Sequence, residues 1–364
     1  MSKLQGRVVE IDSLGQFDRL MSEGARSMGG WRLQGLDLTE RSEQLLELDP
    51  CGGLLLGCRL EPQSKTHLVE GGALLFPDIP DMPFDPYRTE LYRPEDLFGG
   101  ILDSPYSTTL DARMYAWAKQ VETDVQMTLA RALHDHAIDV ALREHLDDRD
   151  AVGVMGGHAL QRGTPGYAEA ARLGRDLTRA GLYVVTGGGP GAMEAANLGA
   201  YLAPADDDAL DEALAMLAGT PRFEPSVTVW ACAAFAVRER WPDGASSLGI
   251  PTWFYGHEPP NPFASAIAKY FQNSLREDTL LRRCSAGIVF LPGAGGTVQE
   301  VFQDACENYY ADASALAPMV LVGAEHWTAT VPAWPLLSAL AKGRPMERAI
   351  HLVDSRDEVT ALLT

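Results

Sequence analysis

The hydrophobic and polar positions in the second half of the chain follow two alternating patterns. Short apolar runs, which are typical of buried strands, occupy 152–155, 182–186, 287–291 and 319–323. Between them, apolar residues recur every three or four positions, as amphipathic helices require, over 167–180 and 192–202. Strands that alternate with helices predict a Rossmann-like, doubly wound parallel sheet. Ligands of such sheets bind beyond the carboxyl ends of the strands.

The same patterns predict further elements and a domain boundary. We expect additional strands at 227–233 and 250–255, and a long helix at 263–283. Residues 151–364 then form the nucleotide-binding domain. Residues 1–150 form an N-terminal α+β extension, which contains a Pro-rich connector at about 77–94 that excludes helix and central strand. Within the extension we expect helices at 14–26 and 108–146 and strands at 31–36, 53–60 and 72–76.

Charge and cysteine usage narrow the class of partner. The 364 residues carry 50 acids and 30 bases, a net charge of −20. Such a chain repels nucleic acids and anionic membranes, so neither is expected as a partner. A phosphate ligand needs backbone amides or a well-placed Arg. Five cysteines without CxxC spacing, and the lack of a signal-like or membrane-spanning apolar segment, predict a cytoplasmic protein with reduced thiols.

Three glycine-rich turns follow predicted strands, at 156–157, 187–191 and 293–296. The second turn satisfies the loose dinucleotide pattern GxGxx[GA]. A dinucleotide site also needs an acid after the next strand, about 20 residues on. Here that distance falls on 206–208, in a helix-like stretch, which argues against NAD. A tight packing turn and a mononucleotide contact remain as alternatives.

The third turn begins the segment Pro292-Gly293-Ala294-Gly295-Gly296-Thr297-Val298-Gln299-Glu300. It lacks the Gly-Lys-[Ser/Thr] ending of a P-loop. Its strand-to-helix position suits phosphate binding by backbone amides and the helix dipole. Thr297 and Glu300 also have the spacing of a capping box, in which the Glu bonds only to its own helix start. Arg276, on the helix before this strand, is either a phosphate or base ligand or a surface residue paired with an acid.

Both glycine motifs resemble those of the LONELY GUY (LOG) family, over roughly residues 151–325. The family signatures GGGxxGxM and PGGxGTxxE are similar to 187–194 and 292–300, with Ala294 in place of the second glycine. The chain also resembles the larger bacterial members that split nucleoside monophosphates. In the family, an Arg on the preceding helix works with the final Glu. Gapless alignment from Pro292 puts Glu277 at that position, with Arg276 one residue earlier.

The resemblance implies an enzyme, a hydrolase of the N-glycosidic bond of a nucleoside 5′-monophosphate, that releases free base and ribose 5-phosphate. It implies a homodimer or higher homo-oligomer, with no metal and no cofactor. Glu300 and Arg276 are the predicted catalytic residues. The predicted substrate-binding residues are Gly157, Gly187, Gly188, Gly189, Gly191, Met193, Glu194, Asn273, Gly293, Gly295, Gly296 and Thr297. The alternative is a nucleotide-binding or sensing protein that uses the same turns without turnover.

Overall fold

The computed structural model describes residues 8–77, 79–120, 124–254 and 258–364. The chain divides into two units. The first comprises the described residues within 1–90 and 123–141, and the second those within 91–122 and 142–364. The predicted boundary near residue 150 stays a prediction, because these units divide the chain at other points.

The first unit contains a sheet of four parallel strands whose order in space is their order in the chain. Its elements are β1 (Val9–Ile11), α1 (Leu14–Ser22), β2 (Trp31–Gln34), α2 (Ser42–Leu46), β3 (Leu54–Leu56), α3 (Pro62–Glu70) and β4 (Leu74–Phe76). Gly30, Gly52 and Gly72 each stand shortly before a strand with φ between 81° and 88°. L residues with side chains rarely adopt this backbone conformation. The unit therefore alternates strands and helices in an all-parallel sheet, which is an α/β arrangement and corrects the α+β class predicted for this part of the chain.

The second unit is built on a seven-stranded parallel sheet. Its elements are α4 (Pro94–Leu97), α5 (Leu110–Ala118), α6 (Val125–Leu146, of which Leu142 onward belongs here), β5 (Ala151–Met155), α7 (Pro165–Arg179), β6 (Tyr183–Thr186), α8 (Ala192–Tyr201), α9 (Asp207–Ala218), α10 (Val227–Arg240), β7 (Leu248–Gly249), β8 (Ala266–Ile267), α11 (Asn273–Arg282), β9 (Gly287–Phe290), α12 (Gly295–Tyr310), β10 (Met319–Val322), α13 (Ala333–Ala341), β11 (Ile350–Val353) and α14 (Arg356–Leu363).

The strand order of this sheet is β11-β10-β9-β5-β6-β7-β8. The chain starts at the central β5, runs to one edge through β8, and then returns to β9 on the other side. The predicted doubly wound, Rossmann-like class is therefore confirmed. Its core contains the buried strands and the inner faces of α7 and α8, which pack closely because Gly174 and Gly199 let the two backbones approach.

Four predicted elements differ from the structure. The single helix predicted at 108–146 is wrong at 119, 120 and 124, because α5 ends at Ala118 and α6 begins at Val125; residues 121–123 lie outside the described residues. The strand predicted at 227–233 is wrong: this segment begins α10, and the Ser226 hydroxyl caps it by accepting from the Val229 amide. The helix predicted from 263 is wrong up to 272, since β8 lies there and α11 begins at Asn273. The strand predicted at 250–255 is wrong up to 254, because β7 ends at Gly249; residue 255 lies outside the described residues.

A helix that crosses a membrane needs about 20 consecutive, predominantly apolar residues. In the described ranges, no helix combines the necessary length and hydropathy.

Candidate functional site

The three glycine-rich turns meet at the carboxyl edge of the second sheet. β5 lies between β6 and β9, so the turns that follow these strands are neighbours. The Gly157 amide donates to the Pro292 carbonyl at 3.1 Å, and the Ala192 amide donates to the Gly157 carbonyl at 3.1 Å. Strand order reverses between β5 and β9, which is where doubly wound sheets bind their ligands.

A buried polar network holds the 187–191 turn. Asn197 of α8 accepts from the Thr186 hydroxyl at 2.7 Å and from the Asn261 side chain at 3.0 Å. The Asn261 side chain also donates to the Gly189 carbonyl, and the Asn261 backbone amide donates to the Gly188 carbonyl. A buried amide group without a hydrogen-bond partner destabilises the folded state. These bonds therefore restrict the turn to one conformation.

The glycines of this turn have different physical reasons for lacking a side chain. Gly188 and Gly191 have φ of 72° and 77°. A Cβ on Gly191 would lie 2.5 Å from the Gly157 carbonyl oxygen. The tight-packing interpretation therefore applies to these two. A Cβ on Gly187 would instead lie 2.5 Å from Arg276 Nη2 and 2.7 Å from Met193 Sδ. Gly187 thus leaves room for Arg276, a predicted catalytic residue.

Helix α12 begins at Gly295, directly after the third turn. Ala294 is its N-cap and offers no side-chain cap, and the first intrahelical bond runs from the Val298 amide to the Ala294 carbonyl at 2.9 Å. The amides of Gly295, Gly296 and Thr297 precede that bond, so they have no acceptor within the helix. Gly295 and Gly296 are exposed. This is the geometry of an anion site at a helix N-terminus.

The capping-box interpretation of Thr297 and Glu300 is wrong. A capping box requires Thr297 to be the N-cap, but it lies inside the first turn of α12, with its side chain over Gly293. Glu300 does not turn back to that helix start. It extends to the preceding helix instead, where Arg276 Nη1 donates to Glu300 Oε1 at 3.2 Å.

Arg276 and Glu300 form a largely enclosed ion pair, with 11% and 12% of their side chains exposed. Arg276 Nε donates to the Ile250 carbonyl at 2.7 Å and Nη2 donates to the Gly187 carbonyl at 3.3 Å. Burial raises the pKa of Glu300; the Arg276 charge opposes this rise and the Glu277 charge adds to it. The pair joins the second and third glycine turns.

Glu277, which the gapless alignment puts at the family's Arg position, has different partners. Its two carboxylate oxygens accept from Asn273 Nδ2 and Gln299 Nε2, each at 2.6 Å. Of the neighbouring residues Arg276 and Glu277, it is therefore Arg276 that contacts Glu300. Asn273, predicted to bind substrate, is buried and directs its amide to Glu277.

Glu194, also predicted to bind substrate, is paired inside the protein. Arg162 donates to Glu194 Oε1 through Nε at 2.8 Å and through Nη2, and both side chains are 1% exposed. Met193 is buried and its sulfur lies against Gly187. Asn197, Asn261 and Arg162 were not predicted as site residues. All three lie outside the signature segments 187–194 and 292–300, and Asn261 and Arg162 bond to partners distant in sequence.

A second carboxyl group lies one turn beyond Glu300 on α12. Asp304 is 5% exposed, and within the described part of the chain its Oδ2 has no hydrogen-bond partner. Burial and the charge of Glu307 raise the pKa of Asp304 to about 8. Burial raises the pKa of the neighbouring Cys284 thiol as well, and the Asp304 and Glu300 charges add to that rise. A charged Asp304 is therefore costly in this fold.

Comparison with known proteins adds structural similarity without sequence similarity. No protein-family model and no curated protein matches the chain. Among solved structures, the molybdenum cofactor binding protein of Rippkaea orientalis is 16% identical, with a TM-score of 0.36, over 59% of this chain and 96% of its own. The protein TM1055 is 20% identical, with a TM-score of 0.37, over 58% and 97% of the two chains.

The molybdenum cofactor carrier protein of Chlamydomonas reinhardtii is 18% identical, with a TM-score of 0.34, over 58% of this chain and 94% of its own. Similarity at this level identifies neither a ligand nor an activity for this chain. The strand order and the parallel pairing are what establish a Rossmann-like α/β fold.

Proposed function

We propose that this chain hydrolyses the N-glycosidic bond of a nucleoside 5′-monophosphate to free base and ribose 5-phosphate. The observation that carries the proposal is the enclosed Arg276–Glu300 pair between two glycine turns at the point where strand order reverses. A buried carboxylate beside a phosphate-sized anion site is the combination that this hydrolysis needs.

The start of α12 is the proposed phosphate site. The amides of Gly295, Gly296 and Thr297 point out of the helix N-terminus, where the dipole favours an anion. Gly293 precedes them in the turn. Since the whole chain carries a charge of −20, this local positive end is what makes phosphate binding favourable. Arg276 stands nearby as a cation.

Glu300 is the proposed catalytic carboxylate. As the bond between C1′ and the base nitrogen breaks, its electron pair leaves with the base and positive charge develops on the ribose. An ionised Glu300 would stabilise that charge and orient a water molecule, whose oxygen bonds to C1′. One water proton goes to the departing base. Burial raises the pKa of Glu300, and the Arg276 charge opposes that rise and so favours the ionised form.

The remaining predicted residues shape the space around the sugar and base. Gly157 and Gly189 are proposed to let a ligand approach the backbone closely, whereas Gly187 leaves room for Arg276 and Met193. Gly188 and Gly191 provide the positive φ values of the turn. In this proposal Met193 and Glu194 support the turn from beneath, because both side chains are buried.

The experiment is to incubate the purified chain with AMP, GMP, CMP, UMP and IMP and to measure released base by chromatography. We expect release from at least one of them. Glu300→Gln should reduce it by about 100-fold or more, as does loss of one transition-state electrostatic contact in other enzymes. Asp278→Asn is the matched control and should retain wild-type release, because Asp278 is a half-buried carboxylate of α11 that pairs with Arg282. Equal release by wild type and Glu300→Gln would refute the catalytic role.

One observation favours a second candidate, a nucleotide-binding protein without turnover. Glu300 Oε1 is already held by Arg276, and burial raises the Glu300 pKa, both of which reduce its availability to a substrate. Saturable binding of a nucleoside monophosphate with no released base would support this candidate. The predicted homodimer or higher homo-oligomer is proposed for either function, and sedimentation velocity tests it.

A further inference from the structure

A cavity of about 310 Å³ lies beside the 187–191 turn, in the second unit. It is bounded by the loop after β5, the start of α8 and the segment before α10. Arg276, Glu300 and Thr297 do not line it. The cavity has the volume of the smaller ligand sites in proteins, and it is separate from the proposed catalytic pair.

One wall of the cavity is aromatic and rigid. Phe223 and Trp230 lie with ring centroids 6.4 Å apart at 74°. Trp230 is 1% exposed, and the Arg162 guanidinium lies 4.6 Å from its ring centroid while donating to its carbonyl. Phe223 is half-buried. A fixed indole with an accessible phenyl ring beside it is a surface on which flat heteroaromatic rings pack.

The polar groups of the cavity favour a ligand that donates hydrogen bonds. Glu258 and Glu224 both line it, and Glu258 Oε1 lies 3.5 Å from His158 Nδ1. The one lining arginine, Arg222, donates to the Gln161 amide oxygen at 2.7 Å and 3.0 Å when that amide is oriented to satisfy both groups. Two carboxylates, Glu224 and Glu258, thus line the cavity against the single charge of Arg222, and this excess of negative charge disfavours a phosphate.

We propose that this cavity binds a planar heteroaromatic base with an exocyclic amino group, an aminopurine or aminopyrimidine. The ring packs against Phe223, which the buried Trp230 supports, and the amino group donates to Glu258. The inference deepens the proposed function, on which it rests for the source of the base: the ring is either that of the substrate nucleotide or the released product.

Calorimetry with adenine and hypoxanthine tests the proposal, because hypoxanthine replaces the amino group with a carbonyl oxygen. We expect adenine to bind the wild-type chain more tightly than hypoxanthine. Phe223→Ala should weaken adenine binding by about tenfold or more, the usual effect of removing an aromatic partner of a base. Glu258→Ala, at a partly exposed position, removes the proposed acceptor and should weaken adenine while leaving hypoxanthine unchanged.

Val229→Ala is the matched control. Val229 is an exposed apolar residue of α10, the helix that carries Trp230, and it does not line the cavity. It should bind adenine as the wild type does. If adenine does not bind the wild-type chain, or binds Phe223→Ala and Val229→Ala equally, the proposal is refuted.

AMP titrated into Glu300→Gln distinguishes the two sources of the ring. A loss of AMP affinity on adding Phe223→Ala places the base of the nucleotide in the cavity, and a loss for adenine alone identifies the free base. The two proposals fail separately. Base release without adenine binding overturns the cavity proposal only, whereas Phe223-dependent adenine binding without base release overturns the hydrolase proposal only.

Discussion

At the scale of single residues, the Arg276 guanidinium uses each of its three nitrogens for a different partner. Nε donates to the Ile250 carbonyl, Nη2 to the Gly187 carbonyl and Nη1 to Glu300. Two backbone carbonyls therefore fix the plane of the cation before any ligand arrives. A group positioned in advance costs no reorganisation during a reaction.

This geometry predicts the pH dependence of the proposed reaction. Burial holds the pKa of Glu300 above its ordinary value, and Arg276 lowers it partway back. If ionised Glu300 is required, base release falls as pH drops through a pKa above that of an ordinary Glu. Arg276→Ala removes the opposing charge and should move this acid limb to higher pH.

The measurement is kcat/KM against pH for the wild type and Arg276→Ala. Arg282→Ala, which removes an exposed cation on the same helix, is the control and should leave the acid limb in place. An acid limb that Arg276→Ala leaves unmoved or moves to lower pH would contradict the prediction.

Asp304 predicts a pH dependence of stability. Its pKa in the folded chain is about 8 against 3.8 ordinarily, so between these values the folded state holds a proton that the unfolded state has lost. The contribution of Asp304 to stability is present in full below about pH 4 and is lost as pH rises to about 8. Asp304→Asn should therefore stabilise the chain at pH 8.5 by on the order of 2 kcal/mol.

Urea unfolding of the wild type and Asp304→Asn at pH 5 and pH 8.5 checks this. The difference in free energy of unfolding between the two proteins should grow with pH. Asp357→Asn, at an exposed position in α14, should show no such growth. A constant difference for Asp304→Asn would mean that the carboxyl is ionised at both pH values.

The site was partly predictable at this scale. The motif spacing indicated Thr297, Glu300 and the glycines, but two interpretations of Glu300 remained. What separates them is where α12 begins, and that is decided by Ala294 and the turn before it. The Arg276 contacts depend on carbonyls that are 26 and 89 residues distant in the chain. Spacing within a motif carries no information about such partners.

At the scale of elements, the contact between α7 and α8 rests on glycines inside helices. A Cβ on Gly199 would overlap the Ala171 carbonyl oxygen, and one on Gly174 would overlap that of Ala196. Both obstacles are backbone atoms, which cannot move aside as a flexible side chain can. The two helices follow β5 and β6, so their spacing also sets the spacing of two glycine turns.

Gly199→Ala should destabilise the chain by about 3 kcal/mol, the upper part of the range for overpacked cores. Gly15→Ala is the control: Gly15 is an exposed residue of α1, and a Cβ there meets nothing within 4 Å. That change should stabilise by about 0.5 kcal/mol through the unfolded chain. Thermal unfolding of both variants measures the contrast, and a Gly199→Ala protein as stable as wild type would contradict the packing argument.

Elements were predicted best where a single pattern dominated. β5, β6, β9 and β10 are continuous apolar runs and were found. The segment from Val227 contains β-branched residues, which favour a strand. It nevertheless forms α10, and the Ser226 hydroxyl caps the start of that helix. Before α11, residues 266–267 pair with β7 as β8, and the Ala268 amide donates to the Gly249 carbonyl at 2.9 Å, so this backbone is not free to form a helix. Long-range bonds of this kind leave no periodic trace.

At the scale of the whole molecule, the net charge of −20 predicts an unusual salt dependence. A nucleoside monophosphate anion is repelled at long range, although the start of α12 attracts it locally. Salt screens the long-range part first, since the screening length is about 10 Å at 0.1 M. The association rate of AMP with Glu300→Gln should therefore rise severalfold as salt increases from about 10 mM to about 150 mM.

Stopped-flow binding at constant pH measures this rate. Adenosine, which lacks the phosphate, serves as the uncharged control and should associate at a rate that salt leaves unchanged. An AMP rate that falls with salt would show that positive charge dominates the approach to the site.

The overall class was predictable because alternating strands and helices admit few arrangements. The regularity of the first sheet was not. In the sequence, the repeat is marked by glycines at 30, 52 and 72, which are separated by about one strand–helix unit. The helices between them differ in length and composition, so the recurring glycines alone are too weak a pattern to predict the repeat.

The pairing order of the two sheets also has a consequence for synthesis on the ribosome. Every strand of the first sheet pairs only with its neighbours in the chain, so that sheet is complete once β4 has emerged. β5 pairs with β6 soon afterwards, but its other edge belongs to β9, which follows five helices later. Until then β5 offers an open, apolar strand edge, the kind of surface on which chains aggregate. A nascent chain that stalls before β9 is therefore more exposed to aggregation than one that stalls just after β4.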